Sequence, residues 1–171
     1  MDVLVVVLRL VHVVFGVFWA GTLIFFAAFL IPAIQETGPD GGKVMAALQR
    51  RGVMNVIPVA AILTVVSGIW LYWRLSDGFS NAWMASPFGH ATAGGGVLAL
   101  IALVIGLAVM RPAALRVTAL AAAMAANPDD PANAARGTEA QKLRRRIATA
   151  GKTVAVLLAL ATVAMAVARY L

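Results

Sequence analysis

The chain has no cysteine, which excludes structural disulfides, thiolate metal sites, iron–sulfur ligation and thioether-linked haem. Charge is scarce: Asp, Glu, Lys and Arg make up 12% of its 171 residues, and only seven of these are acidic. Histidine occurs twice, as His12 and His90. No carboxylate falls within a long apolar run. Any chemistry inside such a run must therefore use imidazole, hydroxyl or a bound cofactor.

What fills the chain instead is apolar. A 62% hydrophobic content and a mean hydropathy of +0.91 lie far above a soluble domain and indicate a membrane protein. The formal charge of +7 does not indicate nucleic acid, because the bases flank apolar runs and form no stripe interleaved with exposed aromatics. Four segments, 3–34, 56–73, 87–110 and 153–170, meet the requirement of about 20 apolar residues for a helical crossing. The first is too long for a cleaved signal and lacks a basic leader, so it is expected to remain as a helix. The expected fold is a single all-α transmembrane domain, a four-helix up-down-up-down bundle.

Lys43, Arg50 and Arg51 lie in the first connection. Arg111, Arg116, Arg136, Lys142, Arg144, Arg145, Arg146 and Lys152 lie in the third. Only Arg9, Arg74 and Arg169 lie at the opposite ends. The positive-inside rule then places both connections in the cytoplasm and both termini outside a bacterial inner membrane. Trp70, Tyr72, Trp73, Trp83 and Tyr170 gather at the outer interface, as amphipathic rings should.

Residues 111–152 read as a cytoplasmic helical extension. "AALRVTALAAAMAA" is rich in strong helix formers, "NPDDP" supplies a turn, and Thr138 with Gln141 has the form of a capping box. If these pieces are continuous with the third and fourth spans, the third helix, from Pro87 to Ala126, would be about 60 Å long and the fourth about 50 Å at 1.5 Å per residue, against a hydrocarbon core of about 30 Å. A basic helical hairpin should therefore project, either solvated beside anionic lipid heads or docked on a partner subunit. The first connection, "QETGPDGGKVMAALQRRGVMN", combines a Gly/Pro turn with a short amphipathic piece.

His12 stands in "VHVVFGVFWAG" and His90 in "PFGHATAGGG", each followed four residues later by glycine, Gly16 or Gly94. An intramembrane histidine is costly and normally faces the bundle interior with a partner. Ser86-Pro87 forms a good start for the third helix, so both histidines belong near the outer end of parallel helices. A porphyrin between two helices needs axial nitrogens and close backbone approach, which Gly16 and Gly94 would permit, aided by Ala20, Gly21, Gly95 and Gly96. Cross-helix hydrogen bonding and tight glycine packing without any cofactor are the alternative.

"VHVVFGVFWAG" resembles the opening helix of small bacterial membrane proteins of the CopD-like and HemJ-like group, with His12, Trp19 and Gly21 at matching spacing. Pro58 and "ILTVVSGIWLYW" resemble the second helix of HemJ-type protoporphyrinogen oxidases, and His90 stands where that family has a second histidine. The resemblance covers roughly the first 110 residues. It implies a four-helix bundle binding haem b, with His12 and His90 as axial ligands of the iron. Thr92 replaces the lysine usual two residues after the second histidine, and Pro32 is followed by Ala33 where a proline-arginine pair is usual. The resemblance thus implies haem binding without the oxidase activity.

Trp19 would pack on the macrocycle edge or serve as ordinary bundle core, and Arg9 and Arg74 would pair with propionates or snorkel to the interface. The expectation is a haem b electron-transfer or redox subunit in contact with membrane lipids, other membrane subunits or copies of itself. The alternatives are a cofactor-free accessory or scaffold subunit, and a copper-handling protein. The dispersed methionines argue against the last.

Overall fold

The structure is a computed structural model, and it describes residues 2–37 and 41–171. These residues are all-helical, with no strand among them, and include four helices long and apolar enough to cross a membrane. The four are α1 (Val3–Glu36), α3 (Val53–Leu75), α5 (Pro87–Ala126) and α6 (Asn133–Tyr170). Two shorter helices, α2 (Gly41–Arg50) and α4 (Asn81–Met84), lie in the connections. The glycine–proline turn expected before α2 falls at residues 38–40, outside the described residues.

Each boundary has a local cause. Asp2 caps α1 by accepting the Leu4 N–H, and Ser86 caps α5 by accepting the Gly89 N–H at 3.0 Å, with Pro87 in the first turn as expected. Gly52 reverses the chain before α3 at φ 81°, a conformation that suits a residue without Cβ. Inside α1 and α5 the backbone widens into a π-turn, Phe26–Leu30 and Gly106–Met110. Each π-turn lies just before a proline, Pro32 or Pro112. Proline has no N–H and its ring collides with the carbonyl four residues back; one extra residue per turn relieves that collision without breaking the helix.

The capping-box expectation at Thr138 is corrected. α6 already begins at Asn133, and the Thr138 hydroxyl donates to the Ala134 carbonyl inside the helix. The start is set upstream, where the Asp130 carboxylate accepts from the Ala132 N–H at 2.8 Å and pairs with Arg136 at 2.7 Å. Asn133 donates to the carbonyls of Asn127 and Pro128, closing the turn. Residues 111–126 lie along α6, and Arg116 forks onto Glu139 at 2.8 Å and 3.3 Å. α2 reaches the same segment through a hydrogen bond from Thr118 to Gln49.

The most extensive interfaces join α1 with α3 and α5 with α6. α1 also meets α6, and α3 meets α5. One buried cluster draws on all four long helices: Trp19 and Leu23 from α1, Ala60 and Ala61 from α3, Ala102 from α5, Val154 and Leu158 from α6. The indole of Trp19, 3% exposed, fills the space that the three small alanines leave. Outside this core the helices are bare. Only 11% of the most apolar stretch of α1 and of α5, and 22% of that of α3 and of α6, is buried within the molecule.

Candidate functional site at the two histidines

The inward face of α1 runs through Leu8, His12, Trp19 and Leu23, at intervals of four, seven and four residues, so that they share one side of the helix. His12 is half-buried, and its Nδ1 lies 2.8 Å from the Thr64 carbonyl oxygen of α3. A carbonyl can only accept, so Nδ1 carries a proton. That same carbonyl also accepts from the Ser67 hydroxyl at 3.1 Å. The Thr64 hydroxyl is satisfied within α3 by the Ala60 carbonyl at 2.8 Å.

The imidazole seats on Gly68. A Cβ at Gly68 would stand 2.7 Å from His12 Cε1 and 3.0 Å from Nδ1, a collision with a side chain that is itself held by a hydrogen bond. The converse seat is one turn away, where a Cβ at Gly16 would stand 3.3 Å from the methyl of Thr64. His12-x-x-x-Gly16 on α1 therefore engages Thr64-x-x-x-Gly68 on α3, each larger side chain resting on the other helix's glycine. The neighbour that approaches Gly16 is α3, through Thr64.

His90 has a different setting. It lies in the first turn of α5, is exposed, and its Nδ1 lies 3.1 Å from the carbonyl of Ser86 on the same helix. Gly94, one turn further, is exposed with nothing near where a Cβ would stand. The close approach falls instead at Gly95, where a Cβ would meet Met165 Cγ at 2.9 Å and the Ala161 carbonyl at 3.1 Å. Gly95 thus serves the α5–α6 interface, while His90 and Gly94 face away from it.

The other expected residues also take separate places. Trp19 is the bundle core. Arg74, at the end of α3, pairs with Asp2 at the start of α1, and this guanidinium, together with the Leu4 N–H, holds the Asp2 carboxyl below the usual carboxylate range. Arg9 is exposed and makes no ion pair among the described residues. Of the five expected interface aromatics, Tyr72 and Trp83 meet edge to face at 4.9 Å, and Trp83 meets Phe88 at 5.6 Å. Tyr72 also donates to the Gly89 carbonyl, tying α3 to α5.

The structure therefore brings His12, Gly16, Thr64, Ser67 and Gly68 together and leaves His90, Gly94, Arg9 and Arg74 outside that group. α3 closes on His12 and Gly16, Trp19 fills the common core, and His90 faces outward. No three His, Asp or Glu side chains converge on a metal position among the described residues. Thr64 and Gly68 lie in "ILTVVSGIWLYW", which the sequence offers as a family resemblance and not as a partner of His12, although its "TVVSG" repeats the four-residue spacing of "HVVFG". No protein-family model, curated protein or solved structure matches the chain.

Proposed function

We propose that this chain is a cofactor-free accessory subunit of a membrane assembly, a four-helix up-down-up-down bundle in a bacterial inner membrane. In this reading both termini lie outside and residues 111–152 form a cytoplasmic helical hairpin that contacts other membrane subunits. The observation that carries it is the closed reciprocal seat of His12 and Thr64. The imidazole that would define a redox centre is spent on helix packing, and the polar groups around it are satisfied by α3 itself. The outward surface of the spans is the larger resource, since most of each apolar stretch is exposed. α5 and α6 have 40 and 38 residues. At 1.5 Å per residue they reach about 60 Å, twice the hydrocarbon thickness of about 30 Å, and so extend well past the bilayer.

A second reading, a haem b protein with His12 and His90 as axial ligands, has one observation in its favour beside the CopD-like and HemJ-like resemblance. Each imidazole engages a backbone carbonyl through Nδ1 alone, the arrangement that orients Nε2 toward a metal. A visible absorption spectrum of the purified protein decides between the two. The accessory reading expects no Soret band, with a stoichiometric partner subunit retained in both His12→Ala and His90→Ala. A Soret band that either substitution removes replaces it with the haem reading.

A further inference from the structure

A shallow groove of about 370 Å³ runs between α1 and α3, lined by Phe15, Phe18, Asn55, Val56, Val59 and Ala60. Five of its six lining residues are apolar. The sixth, Asn55, is exposed, and its side-chain amide has no hydrogen-bond partner among the described residues. Asn55 stands two residues into α3, at the head of the 56–73 apolar run, and offers two N–H donors there. Directly before the Gly52 turn stand Arg50 and Arg51, both exposed and without an ion-pair partner among the described residues. From Asn55 to Ala60 the groove follows α3 for about 7 Å toward the middle of the span, at 1.5 Å per residue.

Along the chain two guanidinium groups, an amide donor and an apolar trough thus follow one another, in the order in which an anionic glycerophospholipid presents its headgroup, ester linkage and acyl chain. We propose that this groove is a binding site for one such lipid. The phosphate lies at Arg50 and Arg51, the Asn55 amide donates to a phosphate or ester oxygen, and one acyl chain lies between Phe15 and Phe18 of α1 and Val56 and Val59 of α3. Charge complementarity selects this occupant over a zwitterionic lipid, and the apolar walls select it over free phosphate. The inference needs only insertion of the helices in a bilayer and is independent of whether the chain serves as an accessory subunit or binds haem.

The test is retention of lipid by the full chain, released from nanodiscs of equal phosphatidylglycerol and phosphatidylcholine and read by native mass spectrometry. Two arginines at an anionic headgroup should give about a thirtyfold preference for phosphatidylglycerol. Arg50→Gln with Arg51→Gln should bring the two lipids near parity. Val59→Trp, at an exposed position where folding is not at stake, should lower retention of phosphatidylglycerol by filling the trough. Inorganic phosphate should not displace the lipid. The proposal is overturned if the wild-type chain retains both lipids equally. It is overturned equally if Arg144→Gln with Arg145→Gln abolishes the preference as fully as the Arg50/Arg51 pair, because attraction would then be diffuse. Helicity in the disc, measured by circular dichroism, reports insertion separately from lipid choice.

Discussion

Replacing Gly68 by alanine puts a methyl group where the His12 ring sits, 2.7 Å from Cε1. The ring cannot simply swing aside, because its Nδ1–H is bonded to Thr64. Over-packing of this kind costs about 1–3 kcal/mol, and losing a cross-helix hydrogen bond in a membrane adds about 0.6 kcal/mol. Against this, alanine is favoured over glycine in a helix by about 1 kcal/mol. The expected net destabilisation is about 0.5–2.5 kcal/mol. In a His12→Ala background the obstacle is absent and the new methyl partly fills the vacated space. The same Gly68→Ala change should then be neutral or stabilising by up to about 1 kcal/mol. Equilibrium unfolding in mixed micelles, followed by tryptophan fluorescence, gives the double-mutant cycle. A coupling below about 0.5 kcal/mol, the additivity expected of distant sites, would refute the reciprocal seat and free His12 for another role.

Two further outcomes follow from neighbouring geometry. Gly95→Ala should destabilise the α5–α6 pair by about 1–3 kcal/mol, whereas Gly94→Ala, with open space at its Cβ position, should be neutral or slightly stabilising; the same unfolding assay ranks them. Acid should weaken the junction between the start of α1 and the end of α3. The Asp2 carboxyl, held down by Arg74, supports folding at pH values above the ordinary aspartate pKa of about 3.9. That contribution is lost as pH falls through the depressed value. Asp2→Asn should flatten this part of an acid titration of stability and leave the behaviour near neutrality unchanged. An identical acid limb in the variant would show that the Asp2–Arg74 pair contributes nothing.

The helices were legible because their cause is local and repeated. Long apolar runs fixed the four candidate spans, and Ser86-Pro87 marked the start of α5 to the residue. Their far ends were less legible: α5 passes Met110 without a break because a π-turn absorbs Pro112, and no sequence rule distinguishes that from a proline that ends a helix. The start of α6 was missed for a related reason. Thr138 and Gln141 have the chemistry of a capping box, but the Asp130, Asn133 and Arg136 network had already closed the turn before them. Competing caps are settled by which network is satisfied, and that depends on three-dimensional contacts.

The site was half legible. Histidine followed by glycine at one-turn spacing states that something approaches α1 closely beside His12, but it does not state what. A flat cofactor and a neighbouring helix make the same demand on backbone clearance. What separates them is whether another segment carries a complementary pair, and "TVVSG" in α3 does, with a β-branched residue to occupy Gly16 and a glycine to receive His12. The His90 pair has no such complement in contact: Gly94 is open, and the demand for close approach has moved to Gly95 against Ala161 and Met165. Two matching sequence repeats therefore have unlike physical content, one a closed seat between helices and the other an exposed helix face. Equal spacing is evidence of a shared role only where both members meet the same kind of neighbour, and here only His12 meets one.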